Sequence, residues 1–215
     1  LLDEMIGIAQ ELGAICIADE VMTGFGRLGT LFAADQLENK PDIFCLSKGL
    51  TGGAMAMGVT SCTAAIQEAY QSNDLMKTFF HGHSFTANPI TCAAANASLD
   101  ILLTKDCAEN RSRLSRKHAS FLVELKKNEM VRNARVMGTI LAFDLNTEIE
   151  TSYFNEARSH LYPYFISKGL LIRPLGNVIY LIPPYIISDE DLDFIYSTIL
   201  NFLEEYKSMT FKQHD

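Results

Sequence analysis

Residues 42–50 read DIFCLSKGL, an apolar run that ends on a serine, a lysine and a glycine. A short continuous apolar run of this kind is expected for a strand covered on both faces in a parallel sheet. Two neighbours repeat the type, AICIADE at 14–20 and AMGVTSCT at 56–63, with glycine-bearing loops and short helical stretches between them. Before them, LLDEMIGIAQELG carries helical periodicity at Leu1, Met5, Ile8 and Leu12, with Gly13 placed as a C-terminal cap. Residues 1 to about 65 therefore read as α/β layering. Open sheets of this class hold ligands beyond the carboxyl ends of their strands. Asp19 and Lys48 fall at two such ends.

Farther on, NPITCAAANASLDILLT at 88–104 opens with an asparagine cap and a proline at the first helical position. Asp106 and Glu109 resemble a capping box for a second helix, on which Leu114, His118, Phe121, Leu122 and Leu125 recur at helical spacing. VMGTILAFDL at 136–145 and GLLIRPLGNVIYLIPPY at 169–185 read as strands or hairpins, and DEDLDFIYSTILNFLEEY at 189–206 as a closing amphipathic helix. The expected domains are 1–110, α/β, and 111–215, α+β. With neither an initiator methionine nor an N-cap before the first helix, the sequence is expected to be a piece of a longer protein.

The balance of 18 Lys plus Arg against 26 Asp plus Glu gives a formal charge of -8, which repels phosphate backbones and anionic membranes. Neither nucleic acid nor membrane is an expected partner. The basic run RSRLSRK at 111–117 reads as a solvated helix face. No uncharged apolar run of about 18 residues is present to span a bilayer, and no basic-plus-apolar leader opens the sequence, so the cytosol is the expected compartment. Five cysteines without a CxxC spacing suggest neither a disulfide framework nor a zinc site.

Three further motifs invite chemistry. GFGRLG at 24–29 matches a dinucleotide fingerprint, but no acidic residue stands at the next strand end, and its glycines are expected to serve turns with positive φ. Tyr164 and Lys168 stand four apart, as in some nicotinamide oxidoreductases, and read as helix surface. His81 and His83 could offer imidazoles to a metal, with Asp19 or Glu20 beside them, and read as polar loop.

An acid and an amine at neighbouring strand ends admit two readings. They are a structural ion pair, of little net stability once desolvation is counted, or they flank a cofactor. Pyridoxal phosphate needs a lysine for its aldehyde and a carboxylate beside its ring nitrogen. A carboxylate about 3 Å from that nitrogen, at an effective dielectric of about 20, stabilises the charged ring by roughly 5 kcal/mol. Spacing alone leaves both readings open.

The wording around these residues adds a resemblance. IADEVMTGFGRLGTLFA, PDIFCLSKGLTGG and FFHGHSFTANPITCAAA together resemble class III (ω-type) pyridoxal phosphate aminotransferases, in the family's order. Within that family the sequence is most similar to members that pass an amino group from S-adenosylmethionine to 8-amino-7-oxononanoate in biotin biosynthesis. The resemblance implies fold type I, with part of the large cofactor-binding domain followed by the small C-terminal domain. It implies Lys48 as the Schiff-base lysine and proton shuttle, Asp19 as the ring-nitrogen partner, and Val21 against the ring face. His83 and Ser84 would hold the cofactor, and Gly82 and Arg173 the substrate, Arg173 through its carboxylate. A homodimer is implied too, because in the family the loop around Gly82 reaches into the partner's site.

Met55-Ala56-Met57, where the family has a proline-leucine step, and TANP in place of TGNP depart from the pattern. The family's phosphate loop and ring-stacking aromatic residue lie in a front half that this sequence does not contain. The 215 residues alone are therefore expected to be catalytically incompetent and to bind pyridoxal phosphate weakly or not at all, while the full-length protein is active. Other ω-aminotransferases, acting on ornithine, 4-aminobutyrate or a diamine, remain an alternative, as does a non-catalytic dimerisation segment.

Overall fold

The computed structural model describes residues 1–147 and 150–211. They divide into two compact units, Leu1–Ala108 and the chain from Glu109 on.

In the first unit, helix α1 (Leu2–Glu11) ends as its glycine predicts. Gly13 adopts φ 82°, its N–H donates to the Gln10 carbonyl, and the Ala14 N–H donates to that of Ala9. Strands β1 (Ile17–Asp19), β2 (Ile43–Leu46) and β3 (Val59–Cys62) form one sheet in that order. β1 and β2 are parallel, with Ala18 opposite Phe44 and Asp19 opposite Cys45. The carboxylate of Asp42 starts this pairing, since its Oδ2 accepts the Cys16 N–H at 2.8 Å and the Gln10 amide at 3.2 Å. Those two bonds, that of Cys16 first, hold the Asp42 carboxyl below its ordinary range.

Two features differ from expectation. β3 runs antiparallel to β2, Leu46 opposite Val59, so the sheet is mixed. The strands are also not covered on both faces within this unit, because Ile15 and Ile17 are each 62% exposed. Helix α2 (Ala64–Glu68) follows, and then α3 (Pro89–Leu102), whose Asn88 side chain accepts the N–H groups of Ile90 and Thr91. The expected capping box of α4 (Lys105–Leu125) is replaced by Thr104, whose hydroxyl accepts the Cys107 N–H. Asp106 stands inside the first turn rather than before it.

The second unit carries an antiparallel sheet of β4 (Val131–Met137), β5 (Ile140–Leu145) and β6 (Val178–Leu181), in that order. Helices α5 (Arg158–Ser167) and α6 (Asp189–Phe211) complete it. Leu114, Phe121 and Leu125 of α4, Leu141 and Phe143 of β5, and Ile199 of α6 belong to one buried core. Each such side chain contributes about 1.5–3 kcal/mol on burial. The basic run on α4 is more than a solvated face, for Arg113 pairs with Asp189 and Lys117 with Asp193 at 2.6 Å, both on α6. Of 169–185, read as strands, only Val178–Leu181 forms a ladder, preceded by one bridge between Leu175 and Val178.

Candidate active site

Because β1 and β2 are parallel, both deliver the residue after them to one end of the sheet. Asp19 is the last residue of β1 and stands opposite Cys45. Lys48 follows three residues after Cys45, at the start of a 3-10 turn, Lys48–Thr51. Amine and acid thus share the sheet's carboxyl end, and both are exposed. Asp19 Oδ1 accepts the Val21 N–H at 3.0 Å, which turns the chain sharply after the strand. Val21 itself is half-buried beside it.

A structural ion pair would close to within about 4 Å. Among the described residues no salt bridge joins Asp19 to Lys48, and no hydrogen bond involves the Lys48 amine. The arrangement leaves a strand-end amine and a strand-end carboxylate both available to a third group.

The backbone of Lys48 is unusual, with φ 36°. A left-handed non-glycine residue costs on the order of 1–3 kcal/mol and persists only where its surroundings impose it. Here Ser47 donates its hydroxyl to the Met57 carbonyl at 2.6 Å, and Thr51 donates to that of Met55 at 2.6 Å. Both bonds use the backbone of the Met55–Met57 step, so its departure from the family pattern leaves the support of Lys48 in place.

One residue beside Asp19 escaped the sequence reading except as a possible metal ligand. Glu20 is 2% exposed, and its carboxylate accepts the Ala34 N–H at 2.7 Å, the Ala33 N–H at 3.0 Å and the Thr23 hydroxyl at 2.6 Å. It closes the loop that follows β1 onto a 3-10 turn at Ala33–Gln36. Its local signal was weak, since the donors lie 13 and 14 residues away. Among the described residues no group of three or more His, Cys, Asp and Glu side chains is arranged for a metal.

GFGRLG serves turns, with Gly26 at φ 95° and Gly29 at φ 103°, and a 3-10 turn rather than an α-helix follows it. Gly82, His83 and Ser84 lie on an exposed loop. The His83 N–H donates to the Thr86 hydroxyl, and its Nδ1 accepts the Phe85 N–H, each at 3.1 Å. Among the described residues no hydrogen bond or ring contact ties that loop to Asp19 or Lys48. Arg173 belongs to the second unit, exposed, in the segment between α5 and β6, with Pro174 buried after it. Tyr164 donates to Glu205 at 3.2 Å, and the Lys168 ammonium lies over the Tyr164 ring at 5.4 Å, which accounts for that pair as surface structure.

The aminotransferase class-III family model matches residues 1–203. The chain belongs to the class III aminotransferases. It is 41% identical over 204 residues to the adenosylmethionine-8-amino-7-oxononanoate aminotransferase of Synechococcus elongatus, covering 95% of this chain and 47% of that protein. The crystal structure of the Methanocaldococcus jannaschii protein of the same name matches with a TM-score of 0.86 at 31% identity, over 95% of this chain and 49% of that one. An amine transaminase from an uncultivated Pseudomonas species, solved in its PLP-bound form, matches with a TM-score of 0.78 at 29% identity, over 90% and 45%. As a class III aminotransferase chain, this one spans about half the length of the curated relatives it matches. Over that half its fold is theirs.

Proposed function

We propose that these 215 residues are the carboxyl-terminal half of a pyridoxal phosphate aminotransferase that transfers the amino group of S-adenosylmethionine to 8-amino-7-oxononanoate, giving 7,8-diaminononanoate for biotin. The unit Leu1–Ala108 is then a share of the large cofactor-binding domain, and the chain from Glu109 on is the small domain. The substrate pair rests on relatives of that name at up to 41% identity.

The observation that carries the reading is the unpaired amine and acid at one sheet end. The donor set suits the cofactor: a carboxylate for a ring nitrogen, and a lysine amine unengaged by any protein group among the described residues. Pyridoxal phosphate, when bound, supplies an electron-withdrawing ring. Asp19 keeps the proton on that ring's nitrogen by its charge. Lys48 supplies the amine that takes a proton at the substrate's reacting carbon and returns it. His83 and Ser84 would hold the phosphate end and Gly82 would face the substrate, all three on one exposed loop. Arg173 offers a planar two-pronged donor to the carboxylate of 8-amino-7-oxononanoate.

The protein works as a homodimer in the cytosol. The exposed Phe79, Phe80 and Phe85 flanking the Gly82 loop suit a surface that a second subunit covers. Among the described residues no helix is long and apolar enough to cross a membrane.

Donor screening of the active protein tests the substrate. Amino transfer from S-adenosylmethionine to 8-amino-7-oxononanoate, in preference to ornithine or 4-aminobutyrate, is the expected result. Preference for either of the latter would move the protein to another branch of the family.

A further inference from the structure

The GFGRLG loop contributes nothing to the function above, yet its aromatic residue lies against the backbone that follows the proposed cofactor lysine. A Cβ built on Gly49 would meet the Phe25 Cδ2 at 2.9 Å, closer than real Cβ atoms approach, and its Cβ and Cγ at 3.0 and 3.1 Å, tighter than most real contacts. Gly49 is not in the left-handed region, so its own backbone would accept any residue. Within this site the Phe25 ring, not a dihedral, is what keeps position 49 free of a side chain.

Phe25 is itself fixed. It is buried, with φ 60°, between two glycines that let the loop turn. Gly24 donates to the Glu20 carbonyl at 3.0 Å, and the Phe25 ring meets Phe32 edge-on at 5.7 Å, which in turn meets Phe44 of β2 at 6.2 Å. On the other side, Ser98 of α3 donates to the Gly49 carbonyl at 3.4 Å. Gly49 is therefore gripped between a loop ring and a helix hydroxyl, directly after a lysine held at φ 36°.

We propose that Phe25 is a positioning residue: its ring occupies the volume of a side chain at Gly49 and holds the Lys48–Gly49 backbone in the bend from which the amine leaves β2. The role rests on Lys48 being the reactive amine. It gives the GFGRLG loop a purpose in which its glycines serve the placement of one ring.

A double-mutant cycle with a labelling readout tests it on the active protein. Gly49→Ala should lower the melting temperature by about 5 °C in the wild-type background, as overpacking does, and by much less in the Phe25→Ala background. An equal penalty in both backgrounds overturns the packing claim. The second readout is labelling of Lys48 by pyridoxal 5′-phosphate and borohydride, mapped by mass spectrometry and divided by that of Lys40. The Lys40 ammonium is tied to the carbonyls of Ala34 and Leu37 and so reports loss of the fold.

In Phe25→Ala and Gly49→Ala the Lys48-to-Lys40 ratio should fall about tenfold, as misplacement of a reacting group does. Phe44→Leu, which loosens the same aromatic row away from Gly49, should leave it unchanged. Should Phe25→Ala not fold, Phe25→Leu should show the same fall to a smaller degree. An unchanged ratio with Lys48 well labelled overturns the positioning role and spares the functional reading. Absence of label at Lys48 in the wild-type active protein overturns both.

Discussion

The imidazole Nδ1 of His118 and the hydroxyl of Tyr196 lie 2.7 Å apart, joining α4 to α6 inside the core of the second unit. The Phe121 ring stacks on Tyr196 with centroids 4.1 Å apart. Burial, with Asp193 and Asp189 nearby, pushes the Tyr196 hydroxyl up, so it keeps its proton beside Nδ1. Burial pushes His118 down to about 4, and the backbone of Thr139 offsets only part of this, as Nε2 makes no well-formed hydrogen bond.

A pH dependence follows from that pair. His118 is neutral when folded and titrates near 6.5 when unfolded, so below about 6.5 the unfolded chain binds more protons and stability falls as pH falls. Between pH 7.5 and 5 this group should remove about 2 kcal/mol, with the loss ending as pH passes through about 4. Urea titrations at the two pH values measure it, and His118→Phe should shrink the difference by that amount. An unaltered pH slope in His118→Phe would contradict the assignment.

Gly176→Ala should be among the most damaging substitutions in the second unit. Gly176 has φ 60° at the first position of the two-residue turn between Leu175 and Val178, and a Cβ there would lie 1.8 Å from the Ser152 carbonyl oxygen. Strain and overlap together should cost about 3 kcal/mol or more. An unmoved denaturation midpoint would contradict this.

Glu20→Gln should destabilise the first unit by about 1–3 kcal/mol, because the amide cannot accept at both of the carboxylate's oxygens. The three bonds to Thr23, Ala33 and Ala34 would be left with one donor facing another. Hydrogen exchange at the Ala33 and Ala34 amides reads the effect locally, and protection unchanged from wild type would argue against it.

What was legible in the sequence was mostly local. The Asn88–Pro89 helix start, the Gly13 cap and the strand ends at Asp19 and Lys48 depend on neighbours a few residues away, and the structure has each of them. The direction of β3 was not legible, since an apolar run carries no sign of whether its partner is parallel. The pairing of Arg113 with Asp189 joins residues 76 apart, and the bonds of Glu20 span 13 and 14, distances at which spacing has no periodic signature. The stretch around Arg173 read as strand because it is apolar. Its neighbours instead turn at Gly176–Asn177, where Asn177 donates to the Leu145 carbonyl at 2.9 Å.

In the active protein, Asp19→Asn should retain bound cofactor while depressing turnover, because the side chain keeps its shape and loses its charge. A loss of on the order of 10²-fold or more in turnover matches the several kcal/mol that the charge contributes at close range. Equal turnover would argue against a charged-ring role for Asp19.

The most direct test of the account is to reduce the cofactor-loaded, active protein with borohydride and map the pyridoxyl mass by peptide sequencing. The adduct is expected on Lys48, and none in Lys48→Ala. An adduct on another lysine, with Lys48 unmodified, would contradict it.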